Sequence, residues 1–441
     1  MALAGAAQAM TDAVLPQRHI VFATAGSLGD LYPFLALGHE LQQRGRRITV
    51  ATSANHRQRV LDAGLAFRHM RPDPDNTATF HARFMHPKTG GQFVYQDYLS
   101  PAIRRSYEDL ADATRDADLL VSQSLMALAA PLVAASTRIR WMSAVLQPMS
   151  FFSVHERPNY LPFPLLPWLC GRSPQVHQNI FQYVKKHTEQ WVQPVLTLRQ
   201  ELGIAQQGHP MYEGQHSPDG VLAMFSPMLG GPQPDWPPSV MQTGTAQMPE
   251  TTAPLPDELE RFLERDDLPL AVFTLSSAAS NDAGDFYRNG LEAARVLGIR
   301  ALLITSGLSA SSRLPEPLPD WACRVDYAAF EQVFPHAAVV VHAGGIGTAF
   351  RAMRAGAPQL VLPQAHDQLD NALRLERLGV ARVIRIVGGK RASVRALRQA
   401  LRDVLADRQM QAAAAAVARQ ARAEDGVARA CDAIEKVLEN A

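Results

Sequence analysis

Short apolar runs alternate with amphipathic segments along most of the 441-residue chain. HIVFAT predicts a buried strand, YPFLALGHELQQRG predicts a helix that ends at Gly45, and RRITVAT predicts the next strand. Phe34, Leu37 and Leu41 share one face of that helix, so this face is expected to pack on the sheet. A strand, a helix and a second strand in this order predict a βαβ unit in a parallel sheet.

Two interruptions of this pattern predict the domain organisation. Residues 148–169 are rich in proline and aromatic residues without a clean period, which indicates a long structured loop. Proline, glycine and threonine are concentrated again near residue 245, where we expect a domain boundary. After it the alternation resumes with the strands LPLAVFTLSS, IRALLITS, ACRVDYA, AAVVVHAG, PQLVLPQ and VARVI.

The predicted fold is therefore α/β, with two doubly wound, Rossmann-like domains that face each other across a cleft. Ligands of such sheets bind beyond the carboxyl ends of the strands, so the cleft is the expected active site. The expected ranges are a disordered leader at 1–17, a first domain at 18–245, a second domain at 246–425 and a C-terminal helix at 426–441 that packs back on the first domain.

Composition narrows the choice of function. A formal net charge of +1 gives no support for a nucleic-acid-binding protein, which needs a clustered basic face. The three cysteines form no paired motif and indicate free thiols in a reducing compartment. The apolar opening segment lacks the cations of a secretory signal, and no run of about eighteen uncharged apolar residues is present. A cytoplasmic protein is expected, and peripheral association with the inner membrane is left open.

The stretch VVVHAGGIGT ends a strand, crosses a glycine-rich turn and begins a helix. The turn places free N–H groups and the positive end of the helix dipole together, which favours an anion. Gly344 and Gly347 would let a phosphate approach without meeting a Cβ, and His342 could donate to it. The same residues could also form an ordinary tight turn in which His342 is a hydrogen-bonded polar residue without a ligand. The glycine spacing matches neither the Rossmann motif nor the Walker A motif.

The next predicted strand leads into LPQAHDQLDNALRL, where Asp367 and Gln368 open a helix. A carboxylate beside an amide suits sugar hydroxyls, which need both acceptors and donors. A simple helix N-cap at Asp367 is the alternative. A phosphate site and a polyol site at consecutive strand ends together indicate a nucleotide sugar.

The run YAAFEQVFPHAAVVVHAGGIGTAFRAMRAGAPQLVLPQAHDQLDN resembles the donor-binding box of family 1 glycosyltransferases, which have the GT-B fold. GSLGDLYPFLALGHELQQRGRRITVAT is similar to the N-terminal part of the same family. Within the family, GSLGDLYPF, SPDGVLAMFSP, QPDWP, DELERFL, HAGGIG and AHDQLDNALRLERLG resemble bacterial rhamnosyltransferase chains of rhamnolipid biosynthesis.

That resemblance implies inverting transfer of L-rhamnose from TDP-L-rhamnose to the hydroxyl of a lipid such as a 3-(3-hydroxyalkanoyloxy)alkanoate. The nucleotide sugar is a co-substrate, and neither a metal nor another cofactor is implied. A protein partner that makes the acceptor is left open. Asp73 and Asp75 have a DxD spacing, but their proline-rich surroundings indicate a turn.

The resemblance also implies a set of donor-binding residues: Ser277, Tyr327, His342, Gly344, Gly347, Thr348, Asp367 and Gln368. His342, Gly344, Gly347 and Thr348 match positions at the diphosphate. Asp367 and Gln368 match a pair that contacts donor hydroxyls. Tyr327 aligns with an aromatic residue that stacks on the base, although a core tyrosine explains it equally well.

This chain departs from the family pattern at two donor positions. Ser276-Ser277 replaces a common Gly-Ser pair, which leaves the contact of Ser277 with the diphosphate open. Ala343 replaces a second histidine of some members.

Transfer with inversion needs a base for the acceptor hydroxyl. Asp30 stands where plant members have a histidine, and it follows a strand and a glycine-rich turn. The alternative is an N-cap on a helix that begins near Tyr32.

The apolar loop supplies a candidate wall for the acceptor, formed by Phe151, Phe152, Tyr160, Phe163 and Trp168. A loop that only packs between the domains is the alternative.

Three other functions stay open. A UDP-glucose-dependent enzyme that acts on a sterol, a lipid or another small aglycone would share the reaction class. A GT-B-fold sugar-nucleotide epimerase would share the phosphate site but need no acceptor cavity, and the long apolar loop argues against it. A non-catalytic nucleotide-sugar binder would not need Asp30, His342 and Asp367 together.

Overall fold

The computed structural model describes residues 17–75, 77–159, 165–205, 208–249, 251, 253–275, 283–305, 314–385 and 392–439. The predicted leader lies outside these residues except for Gln17.

The first domain consists of a parallel sheet with helices on both faces. Its strands are β1 (His19–Ala23), β2 (Arg47–Thr52), β3 (Ala66–His69), β4 (Leu119–Gln123), β5 (Arg140–Val145), β6 (Val221–Ala223) and β7 (Val240–Gln242). Its α-helices are α1 (Leu28–Gln43), α2 (Arg57–Asp62), α3 (Ala78–Phe84), α4 (Gly90–Gln92), α5 (Ile103–Ala113), α6 (Ala130–Thr137), α7 (Leu165–Cys170), α8 (Pro174–Thr188) and α9 (Gln193–Glu201). A π-helical segment, Phe93–Leu99, continues α4. Short 3-10 turns occupy Ala54–His56, Ser100–Ala102, Pro148–Phe151, Glu189–Val192 and Glu213–Gln215.

The second domain repeats this architecture. Its strands are β8 (Leu270–Thr274), β9 (Arg300–Ile304), β10 (Ala322–Val325), β11 (Val339–His342), β12 (Gln359–Val361) and β13 (Ala381–Val383). Its α-helices are α10 (Asp257–Leu263), α11 (Phe286–Leu297), α12 (Phe330–Val333), α13 (Ile346–Ala355), α14 (Gln368–Arg377), α15 (Val394–Ala406) and α16 (Arg408–Ala423), and a 3-10 turn covers Phe334–His336. The last helix, α17 (Gly426–Glu439), packs against α1 of the first domain through Cys431 and Ile434.

Both sheets are parallel throughout. The order is β3-β2-β1-β4-β5-β6-β7 in the first and β10-β9-β8-β11-β12-β13 in the second. Ile20 at the centre of β1 lies beside Ile48 of β2 and Leu119 of β4. The apolar runs are buried on both faces, as parallel strands covered by helices require. The predicted fold of two doubly wound domains is therefore confirmed.

Several elements differ from the prediction. Helix α1 begins at Leu28 rather than near Tyr32, because Ser27 caps it, and Pro33 lies inside the helix. Residues 148–169 are not only a loop, since they contain a 3-10 turn and most of α7. The short strands β3, β6 and β7 were not predicted.

Candidate active site

Asp30 lies in the first turn of α1, beyond the carboxyl end of β1. One carboxylate oxygen accepts hydrogen bonds from the Ser27 backbone N–H at 2.7 Å and the Ser27 hydroxyl at 2.9 Å. The other accepts from the Gln123 side-chain amide at 2.6 Å. The residue as a whole is only partly buried. Burial raises the pKa of Asp30, and the bonds from Ser27 and Gln123 oppose that shift.

The alternative role predicted for Asp30 was the N-cap of the helix. Asp30 does not occupy that position, but it does take part in capping the helix. Ser27 is the N-cap, and Asp30 is the third helical residue, whose carboxylate reaches back to complete a capping box. Asp30 therefore both stabilises the helix start and presents a carboxylate to the cleft.

Gln123, the last residue of β4, was missed by the sequence analysis. Its amide nitrogen donates to Asp30, and its oxygen accepts from the Thr24 hydroxyl at 2.6 Å. A polar residue at the carboxyl end of a central strand was the signal that could have identified it. Gln123 fixes the orientation of the Asp30 carboxylate.

The turn between β11 and α13 contains Gly344 and Gly347, and the structure around these two glycines differs. Gly344 has a φ of +93°, and a Cβ there would lie 2.8 Å from the backbone oxygen of Gln368, so packing alone excludes another residue. A Cβ on Gly347 would have no heavy atom within 4 Å among the described residues. Gly347 and the partly exposed Thr348 lie in the first turn of α13, where helix geometry leaves N–H groups free to bind an anion.

His342 does not have the environment predicted for a cationic phosphate ligand. The side chain is only 1% exposed. The Gly344 N–H donates to its Nδ1 at 3.0 Å, which leaves the proton on Nε2 to be donated to the Gln359 side-chain oxygen at 2.9 Å. Burial lowers its pKa to about 4. In this structure His342 is a neutral ring that holds the turn, and the expected charge-assisted contact is corrected accordingly.

Replacing His342 with alanine should destabilise the fold, because the Gly344 N–H and the Gln359 oxygen would be left buried without their partner. We expect the free energy of unfolding to fall by about 1–3 kcal/mol. In the wild type, the unfolded imidazole takes up a proton below about pH 6.5 and the folded one only near pH 4. The stability from this residue is therefore present above pH 6.5 and is lost as pH falls from 6.5 to about 4.

Urea denaturation of both proteins at several pH values measures these effects. Titration with TDP between pH 5.5 and 7.5 should show no step from His342. A step near pH 6.5 that disappears in His342→Ala would restore the cationic role.

Asp367 and Gln368 begin α14 and lie on the second side of the cleft. Asp367 occupies the N-cap position of α14, as the alternative predicted, but its side chain makes no capping bond. Its carboxylate accepts from the Asn371 amide at 2.6 Å. Burial raises the pKa of Asp367 to about 7, the Asn371 bond opposes this shift, and the Asp30 carboxylate adds to it. Asp30 and Asp367 therefore lie near each other although they belong to different domains.

Gln368 is buried, and its side-chain oxygen accepts from the backbone N–H groups of Gln364 and Ala365 at 2.8 and 3.2 Å. Only its amide nitrogen is left for the predicted contact with a sugar hydroxyl. The residue before Asp367, His366, has a φ of +55° and packs against Phe84 of the first domain, with ring centroids 4.9 Å apart.

Tyr327 follows β10 and is 77% exposed, so the core tyrosine predicted as its alternative role is wrong. Its ring lies near Tyr32 and is available to a ligand, while base stacking stays a prediction. Ser277, Tyr160 and Phe163 lie outside the described residues.

The remaining candidate acceptor residues occupy three different environments. Phe151 is partly buried and stacks on Trp236 at 4.1 Å between centroids, in a cluster that also contacts Ile346 at the start of α13. Phe152 is partly buried and packs against Phe181 and Tyr212 in the core of the first domain. Trp168 is 54% exposed on α7. Phe151 is thus near the donor turn, whereas Phe152 and Trp168 are not brought together with it.

A buried ion-pair network joins the loop after β5 to α14, and no sequence pattern predicted it. Arg374 is 3% exposed and donates to both carboxylate oxygens of Glu156 at 2.9 and 2.7 Å. It also donates to Asp370 and to the Leu229 carbonyl. Asn159 donates to Asp370 at 2.8 Å. The loop does pack between the domains, as the alternative proposed.

Asp73 and Asp75 do not act together in the described structure. Asp73 accepts from the Ala54 N–H and from His69, and Asp75 accepts from Thr77. The predicted turn is consistent with these local bonds. No helix among the described residues has the length and apolar character needed to cross a membrane.

Two family models match separate parts of the chain. The glycosyltransferase family 28 N-terminal domain matches residues 20–111. The erythromycin biosynthesis protein CIII-like C-terminal domain matches residues 304–435. The first match covers β1, the Asp30 turn and α1, and the second covers the glycine turn and α14.

Curated relatives align with nearly the whole chain. The O-mycaminosyltylonolide 6-deoxyallosyltransferase of Streptomyces fradiae is 29% identical over 433 residues, which are 95% of this chain and 97% of the relative. The sterol 3-beta-glucosyltransferase of Yarrowia lipolytica is 25% identical over 458 residues, which are 99% of this chain and 30% of the relative. The chain therefore spans only about a third of the length of such sterol glucosyltransferases.

Solved structures show the same fold. The calicheamicin glycosyltransferase CalG4 superposes with a TM-score of 0.70 at 20% identity, covering 96% of this chain and 99% of that one. The glycosyltransferase VinC, solved in complex with DTDP, gives a TM-score of 0.68 at 19% identity, with 96% and 100% covered. The chain has the GT-B fold, and these comparisons support the predicted family 1 glycosyltransferase. The narrower likeness to rhamnosyltransferases of rhamnolipid biosynthesis stays a prediction.

Proposed function

We propose that the protein is an inverting glycosyltransferase that transfers a sugar from a nucleoside diphosphate to the hydroxyl of an apolar acceptor. The observation that supports this proposal is the proximity of Asp30 in the first domain to Asp367 in the second, whose partner Asn371 also donates to the Gly344 carbonyl of the glycine turn. Asp30 belongs to the first domain, and its carboxylate contributes to the raised pKa of Asp367 in the second. A base on one side and an anion site on the other are the two groups that the reaction needs.

In the proposed reaction, the acceptor oxygen attacks the anomeric carbon while Asp30 takes the hydroxyl proton. The bond from that carbon to the diphosphate breaks on the opposite side, so configuration inverts and the electron pair leaves with the diphosphate. The first-turn N–H groups of α13 stabilise the departing charge without a metal ion. Asp30 returns its proton to solvent when the product leaves. An epimerase would need no such acceptor base.

The donor we propose is a TDP-deoxysugar, TDP-L-rhamnose, and the acceptor is a 3-(3-hydroxyalkanoyloxy)alkanoate or a similar lipid alcohol. The Streptomyces fradiae relative is named as a deoxysugar transferase. The spinosyn rhamnosyltransferase SpnG has a TM-score of 0.64 to this chain at 19% identity, covering 96% of this chain and 100% of that one. VinC was solved with DTDP. These likenesses support the donor class, and the rhamnolipid acceptor rests on the sequence resemblance.

A second candidate is transfer of glucose from UDP-glucose to a sterol. It is favoured by the fungal sterol 3-beta-glucosyltransferases, which align with 96–99% of this chain. Assays that pair TDP-L-rhamnose with the lipid acid, and UDP-glucose with a sterol, distinguish the two by the product formed.

The diphosphate site is tested by a pair of glycine variants. Gly347→Ala should keep or slightly raise the melting temperature, because alanine favours helices and its Cβ has free space. The same Cβ would obstruct a diphosphate at the helix start, so we expect TDP affinity to fall at least about tenfold, the loss of one charge-assisted contact. Calorimetric titration with TDP and UDP measures this loss and also ranks the two nucleotides.

Gly344→Ala is the matched control, because its Cβ would strike the Gln368 backbone. It should lower the melting temperature whether or not a nucleotide binds nearby. Unchanged TDP affinity in Gly347→Ala would move the diphosphate away from this turn, and tighter binding of UDP would favour the glucosyltransferase.

A further inference from the structure

Four large apolar side chains are exposed on α7 and α8, two neighbouring helices of the first domain. Trp168 is 54% exposed, Leu169 38%, Val176 39% and Tyr183 73%. Helix α7 packs against α8. We call this group, together with Arg172 and Lys186, the outer patch.

The exposure of the outer patch does not come from a loosely attached helix. His177 and Phe181 of α8 are buried, and Phe181 belongs to the core of the first domain. Val176 and Tyr183 are seven residues apart and therefore lie on one side of the helix, with Ile180 between them. Helix α8 is therefore firmly packed on the domain and still exposes apolar side chains to water. Such exposed apolar groups indicate an interaction surface.

The charge around the outer patch has one sign. Residues 157–188 contain no aspartate or glutamate. The Arg172 guanidinium lies over the Trp168 ring, 4.0 Å from its centroid. Lys185 is paired with Glu213, whereas Arg172 and Lys186 have no carboxylate within ion-pair distance among the residues that the structure describes.

We propose that the outer patch docks the protein on an anionic lipid bilayer. Tryptophan and tyrosine favour the interface between water and hydrocarbon, and neighbouring lysine and arginine residues are attracted by anionic headgroups. Apolar side chains beside the cations Arg172 and Lys186 match that surface chemically, and the Glu213 carboxylate near the patch is paired with Lys185.

This inference goes beyond the proposed function and does not depend on it, since docking is measured without donor or acceptor. The full-length protein is sedimented with vesicles of phosphatidylcholine alone and with vesicles that also contain phosphatidylglycerol. We expect at least tenfold stronger partitioning to the anionic vesicles. Trp168→Ser/Tyr183→Ser should lower it at least tenfold, and Arg172→Gln/Lys186→Gln should lower it about fivefold per charge removed.

Leu268→Ser/Val296→Ser is the matched control, because these residues are 37% and 43% exposed on the second domain. It should bind anionic vesicles as the wild type does. Equal binding to both vesicle types, no binding, or equal losses in the control and patch variants would overturn the proposal. A dimer in sedimentation velocity that Trp168→Ser/Tyr183→Ser abolishes would also overturn it, because the patch would then be a contact between copies.

Discussion

Asp30→Asn is expected to lower kcat at least about a hundredfold while the affinity for TDP stays within a factor of two or so. The substitution keeps the shape of the side chain but removes the group that takes the acceptor proton. In the proposed site the nucleotide binds at the glycine turn of the other domain and does not need that group. Turnover is measured with a β-hydroxyacyl lipid and TDP binding by calorimetry.

The raised pKa of Asp30 gives this prediction a pH signature. A carboxylate that must accept a proton works only above its pKa, and burial moves that pKa above the ordinary 3.8. We therefore expect kcat/KM to fall as pH drops through a value higher than 3.8. A carboxylate with a higher pKa is a stronger base and accepts the acceptor proton more readily near neutral pH. Burial of Asp30 therefore favours catalysis through its basicity as well as through its position.

Ser27→Ala is the control that separates catalysis from helix capping. The Ser27 hydroxyl caps α1 and donates to Asp30, so its loss should reduce the free energy of unfolding by about 1 kcal/mol. If Asp30 only caps the helix, Asp30→Asn and Ser27→Ala should have similar small effects on turnover. The proposed base requires a large loss of kcat in Asp30→Asn alone.

The fold could be predicted because parallel strands buried on both faces leave continuous apolar runs. β1, β8 and β11 are such runs, and each was predicted. The turns that carry Asp30, Gly344 and Asp367 were also predicted, since polar residues that directly follow a buried strand must lie at one edge of the sheet. These local signals were sufficient to locate the cleft.

Side-chain roles depended on contacts that no local pattern contains. His342 was predicted to contact a phosphate because it is a histidine at the end of an apolar strand. In the structure its Nε2 is hydrogen-bonded to the side chain of Gln359 on the neighbouring strand. The distance of 17 residues between them is set by the sheet register and not by any motif. Trp168 was expected in the cleft on composition alone, but α7 turns it to the surface.

The largest effect on stability is expected from Arg374→Met. Arg374 is buried between Glu156 of the first domain and Asp370 of its own helix, so its loss leaves two carboxylates without a counter-charge. Breaking a buried pair from one side costs about 3–5 kcal/mol, in contrast to the small cost at exposed pairs. Urea denaturation should show this loss, and an enzyme that remains folded should have a raised KM for the donor.

Glu156→Gln tests the contact between domains more selectively, since Arg374 keeps Asp370 as a partner. We expect a smaller loss of stability, about 1.5–3 kcal/mol, because one charge-assisted pair is weakened. Glu292→Gln is the matched control: its pair with Arg295 is exposed and lies within one helix, so the change should stay below about 0.5 kcal/mol. Because the proposed donor residues Asp367 and Gln368 stand at the start of α14, Glu156→Gln should raise the donor KM more than it lowers kcat. Equal effects of Glu156→Gln and Glu292→Gln would mean that the network does not couple the acceptor loop to the donor helix.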